Sequence, residues 1–174
     1  MNDPFIRLYS GKTFHFLHPT LEEIDITDIA HSLSRIVRYY GHCHGDYVVA
    51  NHLCLCADVA PEGYELLALA HDFQEFVLGD VSSPLKSLLP QYQELETHVT
   101  QLIARKFNLP YPYPAIVNEI DKRMLVTEFR DLLKDADWTS FPWKPYDFKI
   151  EPWSMDRAEQ EFLKRFHRYY EGQT

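Results

Sequence analysis

The stretch Leu66-Leu67-Ala68-Leu69-Ala70-His71-Asp72-Phe73-Gln74-Glu75 decides how this chain is read. It is apolar almost all round up to Ala70, which marks a helix surrounded by other elements rather than lying on a surface. It then ends in two adjacent side chains that ligate metals. A packed core gains nothing from an imidazole beside a carboxylate, and burying either without a partner costs several kcal/mol. A divalent ion removes that cost and asks for further nitrogen or oxygen donors. Pro61 suits the first turn of this helix. Glu75 follows His71 by one helical turn and so shares its face.

Outward from this stretch the 3.6-residue period dominates. Asp25 or Thr27 can cap a helix carrying Ile29, Leu33, Ile36, Val37 and Tyr40, closed by Gly41. Asp46 can cap the next, with Val49, His52, Leu53 and Cys56 on it. Leu95, Val99, Leu102, Ile103 and Phe107 line another. Residues 109–114 hold three prolines and form a stiff connector. The helix after Pro114 carries Ile116, Val117, Ile120, Asp121 and Met124. The stretch 138–153 is rich in proline and aromatics and reads as an ordered packing loop. Ser154 caps a last amphipathic helix with Met155, Ala158, Phe162, Phe166 and Tyr169. Only residues 5–16, broken by Ser10-Gly11, suggest strands. The expected architecture is an all-α helical bundle with a short N-terminal β-hairpin, spanning 1–174 as one domain.

The 174 residues suffice for a sizeable core, and 45% hydrophobic residues is ordinary for a globular protein. No apolar run approaches a membrane span, and the first residues lack the basic-then-apolar pattern of a signal peptide. A net charge of −9 argues against a duplex nucleic-acid groove. The three cysteines, at 43, 54 and 56, do not make a disulfide framework. Their spacing with His42 and His44 fits none of the usual zinc patterns, so Cys54 and Cys56 read as small core residues. No contact with membrane or nucleic acid is expected, and the location expected is the cytoplasm.

His52, His71, Asp72 and Asp121 lie on three separate helices and could close a site around one ion. From spacing alone a second reading stands beside this one: a surface histidine, a helix cap and a salt-bridged aspartate. The order His, His-Asp, Asp on successive helices resembles the HD-domain phosphohydrolases. Ser10-Gly11-Lys12-Thr13-Phe14, Asp28 to Arg35, Gly41-His42, Tyr47 to His52, Gly79 to Lys86 and Thr127-Glu128-Phe129-Arg130-Asp131-Leu132 are similar to the small phage and prophage members of that family. These are related to bacterial 5′-deoxynucleotidases and phage dATP triphosphohydrolases.

The resemblance implies an HD-domain bundle. It also implies one divalent transition metal (Zn, Co or Mn) on His52, His71, Asp72 and Asp121, since no second set of ligands is present to bind another. Glu75 would orient or deprotonate the attacking water; its plain alternative is a solvent-facing glutamate. Asp80 would help in acid–base chemistry or simply sit in a turn. Arg35 and Lys86 are the phosphate cations, although the tryptophan that follows the matching arginine in the deoxynucleotidases is Ile36 here. Arg38 is a weaker candidate for the same role, and its plainer reading is a solvated cation. His42 is a possible phosphate contact or a loop histidine.

The activity implied is hydrolysis at the α-phosphorus of a deoxynucleotide. The leaning is to a dATP triphosphohydrolase releasing deoxyadenosine and triphosphate. A 5′-deoxynucleotidase is the alternative, and a non-enzymatic protein with a degenerate HD site represents the competing class. A phage-encoded chain would act in the host cytoplasm, and assembly as a homo-oligomer is expected.

Overall fold

A computed structural model describes residues 3–172, so the two residues at each end of the expected domain lie outside the described residues. Two short strands, β1 (Phe5–Arg7) and β2 (Thr13–His15), pair antiparallel with Ile6 opposite Phe14. The rest is helical: α1 (Ile26–Leu33), α2 (Val49–Asp58), α3 (Glu65–Ala70), α4 (Glu75–Leu78), α5 (Ser83–Lys86), α6 (Pro90–Lys106), α7 (Ala115–Leu132) and α8 (Met155–Glu171). The protein is thus all-α with a short N-terminal hairpin. Among the described residues no helix is long and apolar enough to cross a membrane.

The hairpin is fastened to the bundle by one carboxylate. Ser10 donates its backbone N–H and its hydroxyl to the two oxygens of buried Asp28, each at 2.7 Å. Phe14 then points inward and is fully buried. Asp25 caps α1 by accepting from the Thr27 N–H at 3.0 Å. The Ser154 hydroxyl caps α8 in the same way.

The core is built where α2, α3 and α8 meet. Residues Leu66 to Ala70 of α3 are buried on every side, as a helix apolar all round must be. Phe73, Phe107, Phe162 and Phe166 form its aromatic centre, with Phe73 and Phe162 centroids 5.4 Å apart and Phe107 edge-on to Phe166 at 5.3 Å.

The structure departs from the helical pattern between residues 34 and 48. Helix α1 stops at Leu33 rather than running to Gly41. Val37 pairs antiparallel with Val48, the Arg38 N–H donates to Tyr47 O and the Val49 N–H donates to Ile36 O. The chain therefore doubles back. Tyr39 and Tyr40 turn it with φ of 55° and 54°, followed by Gly41 at 78°. Asp46 is exposed and caps nothing, because α2 starts at Val49 with Val48 before it. The apolar spacing of Ile36, Val37 and Tyr40 fits a helix, but cross-chain pairing of Val37 satisfies the same burial.

Replacing Phe162 by Ala should cost about 3–5 kcal/mol, as for a fully buried aromatic. Leu88, which is 74% exposed, should cost less than about 0.5 kcal/mol on the same change. Urea denaturation of the two variants checks this; similar midpoints would show that the core is not centred on Phe162.

Candidate metal centre

His52 is fully buried on α2, and its orientation is fixed from behind. Its Nδ1–H donates to Glu128 Oε1 at 2.6 Å, which leaves Nε2 facing away with its lone pair. His71 caps the C-terminus of α3, where Nδ1–H donates to Ala68 O at 2.8 Å, so its Nε2 is turned toward His52 and the aspartates. The two Nε2 atoms are 3.4 Å apart. Asp121 of α7 brings Oδ1 to 3.5 Å from the His52 Nε2 and 3.8 Å from that of His71. Asp72 Oδ2 is 3.3 Å from His71 Nε2. His52, His71, Asp72 and Asp121 therefore converge from three directions.

Two imidazole lone pairs facing each other repel unless a cation or a proton lies between them. A tetrahedral ion with Zn–N bonds of about 2.0–2.1 Å separates its nitrogens by roughly 3.3–3.4 Å. The spacing fits such an ion. Burial pushes the His71 pKa down, but Asp72 and Asp121 outweigh it and raise it well above the usual value. For Asp121, burial acts upward and the two histidines hold it well below the usual carboxylate range. Such a field favours positive charge at this point. Cys56 lies one turn along α2 from His52, with its Sγ 3.6 Å from His52 Nε2. His52, Cys56 and His71 present donor atoms within 4.8 Å of one another. Cys56 thus stands beside the ligands and is not merely a small core residue; its spacing of four residues from His52 is the sequence signal for that placement.

Behind these candidate ligands sits Glu128, fully buried on α7. Besides His52 it accepts from Tyr47 Oη at 2.9 Å, from Arg38 Nη2 at 3.1 Å and from the Tyr39 hydroxyl. Burial would raise its pKa, but Arg38 and His52 prevail and bring it down to about 2.

In front of the ligands is a cavity of about 660 Å³. Asp72, Glu75, Asp80 and Asp121 line it, together with Arg38, Lys86 and Lys122. Glu75 is buried, not solvent-facing, and its Oε2 makes no hydrogen bond among the described residues. Burial raises its pKa well above the usual value, and Asp72 and Asp80 add to that. Asp80 is raised by burial too, although Arg38, 3.8 Å away, pulls the other way. Lys86 is paired with Glu96 at the cavity edge.

Arg35 and His42 do not line this cavity. Arg35 lies against α8, donating to Glu159 Oε2 at 2.6 Å, with Asp156 at 3.5 Å. Because the chain reverses after Ile36, Arg38 enters the cavity instead; it is 7% exposed, not a solvated cation. His42 is exposed at the end of the reversal.

An aggregate of two histidines and two aspartates, drawn from α2, the turn between α3 and α4, and α7 of an all-α scaffold and backed by a buried glutamate, defines this protein as one with a candidate metal centre. The chain belongs to the family of the Escherichia coli (strain K12) protein YfdR, itself uncharacterized, with which it is 37% identical over 167 residues covering 94% of both chains. It is also similar to an uncharacterized protein of Rhodobacter capsulatus, at 36% identity over 126 residues, 67% of this chain and 64% of the relative. No family model matches the chain.

Glu128→Gln should weaken the binding of Mn²⁺ or Zn²⁺ by about 10–100-fold, since the group that orients His52 loses its charge. Competition with a chromogenic chelator measures it; unchanged affinity would remove Glu128 from the site. Because Glu128 titrates lower in the folded chain than in the unfolded one, it stabilises the fold above about pH 4.5, and this is lost as pH falls toward 2. Acid unfolding of the Gln variant should be correspondingly flatter over that range.

Proposed function

We propose that this protein is a metal-dependent phosphohydrolase of the HD type acting on nucleotides. The observation that carries the reading is the buried Glu75 carboxyl, whose Oε2 has no hydrogen-bond partner among the described residues, beside the convergent side chains of His52, His71, Asp72 and Asp121. A buried carboxyl without a partner costs stability, a cost that a role in proton transfer would explain. His52, His71, Asp72 and Asp121 would hold the ion. When bound, a divalent ion polarises a phosphate oxygen and makes a coordinated water more acidic.

Glu75 sits at the cavity wall, where burial raises its pKa well above the usual carboxylate value, and a carboxyl of raised pKa is the better acceptor of a proton from water. Water oxygen adds to phosphorus, the ester P–O bond breaks and the nucleoside oxygen leaves with a proton. Arg38 stands where a phosphate could be held in two-point fashion, with Lys86 and Lys122 at the sides. Glu128 and Asp80 hold the guanidinium in place.

The cations of the cavity support one of the two substrates. Asp72 and Asp121 would be taken up by the ion, and of the three cations lining the cavity, Arg38 and Lys86 already answer Glu128 and Glu96. This balance supports a nucleoside monophosphate, hence a 5′-deoxynucleotidase, over the triphosphate favoured from sequence. The dATP triphosphohydrolase reading has the cavity's volume on its side. A protein using free nucleotides would work in the cytoplasm.

The test is a panel of deoxynucleoside mono- and triphosphates with Mn²⁺, Co²⁺ or Zn²⁺, the products being identified. Phosphate should appear from monophosphates. Release of intact triphosphate from dATP would move the assignment to the second reading, and no turnover with any metal would reject the hydrolase. Glu75→Gln should keep its metal and lose about 10²-fold or more in kcat; loss of metal together with activity would make Glu75 a ligand instead.

A further inference from the structure

Helix α7 carries Asp121, Leu125 and Phe129, spaced by four residues, and all three line the cavity. A rise of 1.5 Å per residue puts Phe129 about 12 Å along the axis from the metal ligand. Around Phe129 the chain gathers aromatic rings. Phe141 meets it edge-on with centroids 4.9 Å apart, and Tyr39 meets it edge-on at 5.9 Å. Tyr40 and Trp143 reach the same cavity and stay 54% and 36% exposed. These rings come from the 38–41 turn, from α7 and from the 138–153 loop.

The tyrosine hydroxyls at this end are already engaged. Tyr39 Oη donates to Glu128. Tyr40 Oη accepts from the Ser82 N–H at 3.0 Å and donates to Ser82 Oγ at 3.3 Å. What the tyrosines and phenylalanines of the wall offer is therefore ring faces and edges, with the Trp143 indole N–H as a polar edge beside them. An aliphatic group would gain only area here, whereas a flat heterocycle gains the offset and edge-to-face geometry that aromatic rings prefer.

We infer that Tyr40, Phe129, Phe141 and Trp143 form a stacking site for the nucleobase, and that it selects for the presence of a base and not for its identity. The inference rests on the phosphohydrolase reading for the position of the phosphate, near Asp121. Phosphate, sugar and base, in that order, then run along α7 toward Phe129.

The test uses the Glu75→Gln protein loaded with Mn²⁺ and equilibrium dialysis with dAMP, dCMP, dTMP, deoxyribose 5-phosphate and hexyl phosphate. The three nucleotides should bind within about tenfold of one another, and both base-free phosphates should bind about 5- to 100-fold more weakly, the range for loss of one base–aromatic stack. Phe129→Ala and the more exposed Trp143→Ala should each narrow that gap while leaving deoxyribose 5-phosphate unchanged. Equal binding of deoxyribose 5-phosphate would overturn the inference. So would hexyl phosphate matching the nucleotides, or variants that weaken all five ligands alike. The two readings fail separately. Wild-type protein that hydrolyses deoxyribose 5-phosphate as well as dAMP keeps the hydrolase and loses the stacking site. A preference for nucleotides in binding without turnover by wild type keeps the stacking site and loses the hydrolase.

Discussion

Glu128 accepts hydrogen bonds from Arg38, Tyr39, Tyr47 and His52 while fully removed from solvent. An isolated carboxylate could not be ionised there. With four donors, one of them a guanidinium, it is held in its charged form. The carboxylate lies on α7, His52 on α2, and the other three donors on the reversal between α1 and α2. One group therefore joins three parts of the chain and aims the His52 imidazole at the candidate metal centre as it does so. Removing one partner from such a pair leaves a buried charge behind, which costs about 3–5 kcal/mol. The losses will not add, because the four donors share two oxygens.

The bundle itself could be read from the sequence because each helix carries its own signals. Ser154 and Asp25 cap where their side chains suggest, and the proline-rich 109–114 segment separates α6 from α7. That His52, His71, Asp72 and Asp121 could come together was also legible, since they belong to three separate helical patterns. The site's surroundings were not. Arg35 and Arg38 would share one face of a continuous helix, so spacing could not choose between them. Pairing of Val37 with Val48 separates them by reversing the chain. That pairing is non-local and has no local sequence signature. Glu128 escaped for the same reason: its partners are 76 to 90 residues away in the chain.

The cavity divides its chemistry by position along α7. At the Asp121 end the groups are charged, and they are matched so closely that little positive charge is left over. At the Phe129 end they are aromatic, with hydroxyls turned toward the protein. Arg38 and Tyr39 are neighbours in sequence, yet one serves each end while both rest on Glu128. The buried glutamate thus fixes the distance between the two halves of the cavity.

Tyr39 and Tyr40 occupy the left-handed region side by side, where a side chain costs about 1–2 kcal/mol per residue. Tyr39 recovers some of this through Glu128 and Tyr40 through Ser82. Glycine at position 40 would relieve the backbone and remove one ring from the cavity. Variants sorted only by heat tolerance would drift in that direction, while sorting on ligand capture would draw them back. The reversal is thus a place where selection for robustness and selection for recognition pull the same codon apart.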